Sequence, residues 1–167
     1  MYRAIYSRSR YPYDERRKRR ALEEFFTCIQ CEAQVYTQAI ISGVQNRNHC
    51  PYCLCSRHVD QVLAGDRLSA CKAIMQPIGL TMKPSRNKYG VKICGELMLV
   101  HRCNDCGKLS INRLAADDQG ERLMDIFLAS RELELSLVLR LRESGIRLLA
   151  EEDFWLVKQQ LSGSERP

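Results

Sequence analysis

The spacing of apolar residues changes along this chain, and each change predicts a different kind of element. Residues 1–20 intersperse Tyr2, Tyr6, Tyr11 and Tyr13 with arginine and hold almost no aliphatic side chains. Such a segment can bury no core and is expected to be mobile when free. A short apolar lead from Ala21 to Phe26 then runs into the first cysteine pair. Residues 35–44 (VYTQAIISGV) are rich in β-branched side chains and predict a short strand or hairpin arm. Between Asn46 and Asp66 the chain is dense in Asn, Cys, Pro and His, the composition of a compact loop region. Residues 91–102 (VKICGELMLVHR) predict one or two strands around Gly95, after a turn-prone PSRNKYG.

The last third changes character. Leu123, Phe127, Leu133, Leu137 and Leu141 recur at helical spacing, although ELELSLVLRLR also alternates as a strand would. Leu, Glu and Arg are good helix formers and β-branched residues are nearly absent, so one helix is expected over 121–142. A second is expected over 150–162, with Glu151, Glu152 and Asp153 in its first turn and Gly163 beyond its end. The expected fold is therefore α+β: a small body of cysteine knuckles and β-hairpins, followed by two C-terminal helices. Three segments result: a basic arm (1–20), a cysteine-rich body (21–120) and a helical tail (121–167).

Charge sharpens this division. The arm holds Arg3, Arg8, Arg10, Arg16, Arg17, Lys18, Arg19 and Arg20 against Asp14 and Glu15, which accounts for the whole net charge of +6. A neutral body with a cationic arm points to an anionic partner. No stretch approaches the roughly 18 consecutive apolar residues of a membrane span. The arginine-rich start lacks the apolar core of a secretory signal, so a reducing cytoplasm is the expected setting. There, the nine cysteines are expected as metal ligands rather than disulfides.

Cys28-x-x-Cys31 and Cys50-x-x-Cys53 have the spacing of a structural zinc site. Two thiolates three apart on a tight turn can face one ion, and a second such turn completes the tetrahedron. A redox dithiol would need only one pair, in a strand–helix context. Cys71, Cys103 and Cys106 form the core of a second site, for which His49, His58, Cys55 and Cys94 are candidate fourth ligands. His58, close behind the second knuckle, is the choice; His49, beside Cys50, suits a supporting role at the first site. Cys55 and Cys94 are expected as small buried hydrophobes. Iron can occupy a four-sulfur site, but redox-inert zinc is the simpler expectation, two ions in all.

The segments Arg47-Asn48-His49-Cys50-Pro51 and Tyr52-Cys53-Leu54-Cys55-Ser56-Arg57-His58-Val59-Asp60 resemble the signature of the RNHCP zinc-finger domain. The similarity continues through Gly65-Asp66-Arg67, Cys71, Met75-Gln76-Pro77, His101-Arg102-Cys103, Cys106-Gly107, Asn112-Arg113 and Asp117-Asp118, covering about residues 25–119. The resemblance implies a cytosolic double-zinc domain of bacterial type. It supports Cys28, Cys31, Cys50, Cys53, His58, Cys71, Cys103 and Cys106 as the metal-binding set, and it assigns no activity.

Three functional classes follow. The first is an RNA-binding protein attached to ribosomal RNA or the ribosome, its arm neutralising phosphates and its tyrosines stacking on unpaired bases. Arg47, Asn48, Asn112 and Arg113 are expected to add polar contacts near the metal sites. The second is a protein-interaction or transcription-regulating module working through residues 121–161. The third, an enzyme, is disfavoured: proline follows rather than precedes Cys50, no Glu stands near His49 as a zinc deaminase needs, and H-E-x-x-H and phosphate-binding glycine loops are absent. Asp117-Asp118 suits a turn or helix cap better than a divalent-ion site.

Overall fold

A computed structural model of the chain describes residues 25–63, 65–83 and 95–162. The arm, the turn expected over 84–90, Cys94 and Gly163 lie outside these residues. The first elements are a hairpin, β1 (Phe25–Thr27) and β2 (Gln34–Tyr36), paired antiparallel. Its alternation is plain. Val35 and the half-buried Phe26 pack on Cys28, Cys50 and Cys53, while Phe25 and Tyr36, directly opposite each other, face solvent. The expected strand over 35–44 stops early, because Ala39–Ser42 winds into one helical turn, α1, closed by Gly43 in the left-handed conformation.

A four-stranded antiparallel sheet carries the rest in the order β3 (Ser56–Arg57), β4 (Ile74–Lys83), β5 (Glu96–Cys103), β6 (Leu109–Arg113). The strand signal expected after Gly95 is β5, whose successive Leu97, Met98, Leu99 and Val100 are all buried. A continuous apolar run of this kind belongs to a strand covered on both faces. No element is expected from the sequence over the segment that forms β4, which contains Pro77 and Gly79. The sheet accommodates them with a register shift between the two residues. Gly79 is also needed for space: a Cβ there would lie 2.7 Å from Leu148 Cδ2 and 3.2 Å from Ser130 Cβ.

Beyond the sheet the expectation of two helices is corrected to three: α2 (Gly120–Ala129), α3 (Leu135–Glu143) and α4 (Phe154–Ser162). The cause is the sheet itself. Leu123, Ile126 and Phe127 of α2 and Val157 of α4 join Leu80, Leu97 and Leu99 in one cluster. Leu137 and Leu141 of α3 join Val100 in another. Leu99 and Val100 are neighbours on one strand and point to opposite faces. The chain therefore has to pass from one face to the other between α2 and α3, and a single helix over 121–142 cannot do so. The break is a 3-10 turn at Ser130–Glu132, where Ser130 Oγ donates to Phe127 O at 2.7 Å, followed by extended Leu133.

The end of α3 is held by a Schellman motif: Ile146 N–H donates to Leu141 O and Gly145 N–H to Arg142 O, with Gly145 left-handed. The returning chain lies along β4, where Leu149 N–H donates to Leu80 O and Thr81 Oγ1 to Arg147 O. The helical tail is thus built into the body's core rather than appended to it.

Candidate metal centres

Three of the metal-ligand turns share one backbone construction. After Cys28, Cys50 and Cys103, the residue four positions on donates its N–H back to the cysteine carbonyl, and the cysteine N–H donates to the carbonyl five positions on. The residue at the fourth position is left-handed each time: Glu32 (φ 60°), Leu54 (φ 60°) and Gly107 (φ 70°). This curl turns both thiols of a Cys-x-x-Cys to the same side. At the first turn Gln30 N–H also points at Cys28 Sγ, 3.4 Å away, the kind of donor that stabilises a thiolate.

The first pair of turns closes one tetrad. Cys28 Sγ lies 3.5 Å from Cys53 Sγ, and Cys31 Sγ lies 3.6 Å from Cys50 Sγ. A tetrahedral ion with zinc–sulfur bonds near 2.3 Å would set its ligands about 3.8 Å apart, so the donors already stand close to coordination spacing. Burial pushes the Cys50 thiol up to about 11 and also raises Cys53. Four crowded sulfurs of this kind ionise together only around a cation.

The second tetrad combines the third turn with two residues brought in from either side of the 59–70 loop. His58 N–H donates to Ala73 O and Lys72 N–H to His58 O, which places His58 and Cys71 side by side. Cys71 Sγ lies 3.6 Å from Cys103 Sγ, and His58 Nδ1 lies 3.3 Å from Cys106 Sγ. In each tetrad all four donor atoms fall within 4.8 Å of one another. Thiolate and imidazole donors in closed fours fit zinc, and the two tetrads accommodate two zinc ions. Among the open alternatives for the eighth ligand, the geometry selects His58; Cys55 is buried and outside both tetrads, and Cys94 is not among the described residues.

His49 belongs to a different structure, a buried polar network that the sequence reading missed. Its Nε2 donates to Asp118 Oδ2 at 2.8 Å. Arg47, with its side chain 0% exposed, pairs with Asp117 at 2.6 Å and Asp118 at 3.2 Å and donates through Nε to His49 O. Asp118 also accepts from Ala115 N–H. Asn48 donates to Asn112 Oδ1, and Asn112 donates to His101 Nδ1, so His101 carries its proton on Nε2 and donates to Leu54 O at 2.7 Å. Burial lowers His101 to about 3 and keeps it neutral. The network ties the second knuckle to β5, β6 and the 115–118 turn, with its charges paired as a buried cluster requires.

This placement corrects part of the expected nucleic-acid set. Arg47 is sealed inside and presents no donor to a phosphate; Asn48 is half-buried and engaged with Asn112. Arg113 is exposed and paired with Glu96 at 3.1 Å. Arg3, Arg8, Arg10, Arg16, Arg17, Lys18, Arg19 and Arg20 lie outside the described residues. A signal for the network was present in the Arg47-Asn48-His49 and Asp117-Asp118 runs, but their pairing spans some 70 positions and no local pattern encodes it.

An α+β sheet whose turns close two zinc tetrads defines a double-zinc structural domain. Residues 23–124 match the RNHCP domain, and the chain belongs to that family. Neither a curated protein nor a solved structure matches the chain. Among the described residues, no helix is long and apolar enough to cross a membrane.

Proposed function

We propose that this chain is a zinc-stabilised, non-catalytic RNA-binding protein of the cytoplasm that associates with ribosomal RNA or the ribosome through its basic N-terminal arm. The observation that carries this reading is the concentration of the entire net charge of +6 in twenty residues that also hold four tyrosines. Phosphates attract such a segment through counterion release, and tyrosines stack on unpaired bases without regard to sequence. The arm leads to β1, where Phe25 and Tyr36 stand opposite each other and exposed, extending the supply of aromatic faces onto the rigid body. Four protein donors at each zinc leave no open coordination position, which favours a scaffold over a catalyst.

A second reading, docking of a protein partner on the helical tail, has narrower support. The main apolar faces of the three helices are taken up by their own sheet, leaving Leu135 and Leu139 as an exposed pair one turn apart on α3. Co-sedimentation tests the first reading. The native protein is expected to travel with ribosomal particles and to be released by ribonuclease. Deleting residues 1–20 is expected to lower affinity for ribosomal RNA at least about tenfold, on the order of 1.4 kcal/mol, and to flatten the salt dependence. Equal binding by the deletion would overturn the arm's role and favour the helical surface.

A further inference from the structure

The first hairpin turns two aromatic side chains away from the metal centre that its inner face packs on. Phe25 of β1 and Tyr36 of β2 are register partners, and they are 47% and 52% exposed. The next pair, Phe26 and Val35, turns inward onto Cys28, Cys50 and Cys53. Thr27 and Gln34, the third pair, turn outward again and are exposed. One face is thus committed to the metal centre, and the other presents two rings followed by two polar side chains.

That outer face is rigid and its rings are unclaimed. Cys28 N–H donates to Ala33 O and Glu32 N–H to Cys28 O, both at 2.9 Å, which closes the turn of the hairpin. Trp155, another exposed ring, has Phe154 edge-on with 5.6 Å between centroids and Lys158 Nζ 5.0 Å from its own centroid. Among the described residues no such ring or cation partner meets Phe25 or Tyr36. Directly opposed residues on antiparallel strands hold their Cβ atoms about 4.5–5.5 Å apart. A base slotted between two rings needs roughly 7 Å, twice the base spacing of a nucleic-acid strand. The pair therefore makes a platform and not a slot.

Charge decides what lies on it. Arg16, Arg17, Lys18, Arg19 and Arg20 are consecutive cations, and Arg20 precedes Phe25 by five residues. Fully extended chain spans that gap in at most about 18 Å, so these cations stay within a few nucleotides of the rings. A polyanion with flat apolar faces satisfies both features. We infer that Phe25 and Tyr36 form a stacking platform for one unpaired base of bound RNA. Every base has a π-face, and the neighbouring Thr27 hydroxyl and Gln34 amide each donate and accept, so the platform favours no particular base. Duplex RNA keeps its bases stacked on one another and meets only the charges. The inference rests on the RNA-binding reading and adds to it a preference for single strands, set on the body and not in the arm.

The test uses the full-length, zinc-loaded protein and fluorescence anisotropy with an all-uridine octamer and a short blunt RNA duplex. Phe25→Leu combined with Tyr36→Leu is expected to bind the octamer about tenfold more weakly, within the range for losing one base–aromatic stack. Its two zinc ions, its salt slope and its affinity for the duplex are expected to match wild type, because no charge and no metal ligand is removed. A second measurement needs no variant. A 5-bromouridine octamer irradiated in complex with wild type is expected to crosslink to Phe25 or Tyr36, as mapped by peptide mass spectrometry. Unchanged octamer affinity in the double variant, an equal loss on the duplex, or crosslinks confined to residues 1–20 would each overturn the platform. Arm-dependent RNA binding would stand in those cases. Failure of wild type to bind the octamer, the duplex or ribosomal RNA would overturn both.

Discussion

His49 Nε2 stands 2.8 Å from Asp118 Oδ2, and this bond joins the residue beside a metal ligand to a turn almost 70 positions away. Both side chains are 1% exposed, and Arg47 balances the carboxylate's charge from the other side. The metal centre is therefore held in place by a buried ionic cluster as well as by its own backbone.

Asp118→Ala leaves Arg47 buried with a weakened counter-charge and orphans His49 and the Ala115 N–H. The expected loss is about 3 kcal/mol or more, as for breaking a buried ion pair. Asp117 is 32% exposed, so Asp117→Ala should cost no more than about 1 kcal/mol. Chemical unfolding of both variants with zinc bound checks the ranking.

The three equivalent left-handed positions give substitutions of opposite sign. Glu32 is exposed and Leu54 is 0% exposed within the main core cluster, yet both have φ near 60°. Glu32→Gly removes a left-handed strain of about 1–2 kcal/mol and should raise stability by a part of it. Leu54→Gly relieves the same strain but empties a core site, and should destabilise by about 2 kcal/mol or more. Denaturant midpoints of the two variants are expected to move in opposite directions.

Asp66 governs the loop between His58 and Cys71. Backbone N–H groups of Val62, Leu63, Gln61 and Leu68 all donate to its carboxylate and hold it well below the usual carboxylate range. Because the folded value is lowered, the contribution is present above the unfolded value of about 4 and is lost as pH falls below it toward the folded value. Asp66→Ala should therefore speed amide exchange at residues 61–63 and 68 at neutral pH. The wild-type amides should retain their relative protection until the solution is distinctly acidic. Exchange unaffected by the substitution would show that the loop is held by other contacts.

The tail should behave as core. Leu141 is 0% exposed and packs with Val100 and Leu137, so Leu141→Ala is expected to cost about 2–5 kcal/mol. Limited proteolysis of the native protein should give no early fragment lacking residues 120–162. Rapid release of that segment would mean that the helices are not docked.

The metal ligands were legible because a Cys-x-x-Cys turn fixes its own geometry: three residues of local chain suffice to aim two sulfurs. His58 was legible by default, as the histidine left near an incomplete set. The Arg47–Asp118 network was not, because a polar run reads as surface unless its distant partners are known. β4 was hidden by Pro77 and Gly79, two residues that normally interrupt strands and here mark a bulge and a close approach. The helical character of 121–142 followed from propensity, but its division did not. The leucine spacing is continuous, and only the sheet decides that Phe127 and Leu137 pack on different faces.

Native mass spectrometry of the purified protein counts the ions in the two closed zinc centres. Wild type is expected to carry two zinc ions, one in Cys28/Cys31/Cys50/Cys53 and one in His58/Cys71/Cys103/Cys106. His58→Ala should lose the second ion preferentially and keep the first, whereas Cys50→Ser should lose the first and unfold the hairpin that packs on it. A single zinc in the wild type, iron in place of zinc, or two firmly held ions in His58→Ala would contradict the assignment of two closed zinc centres.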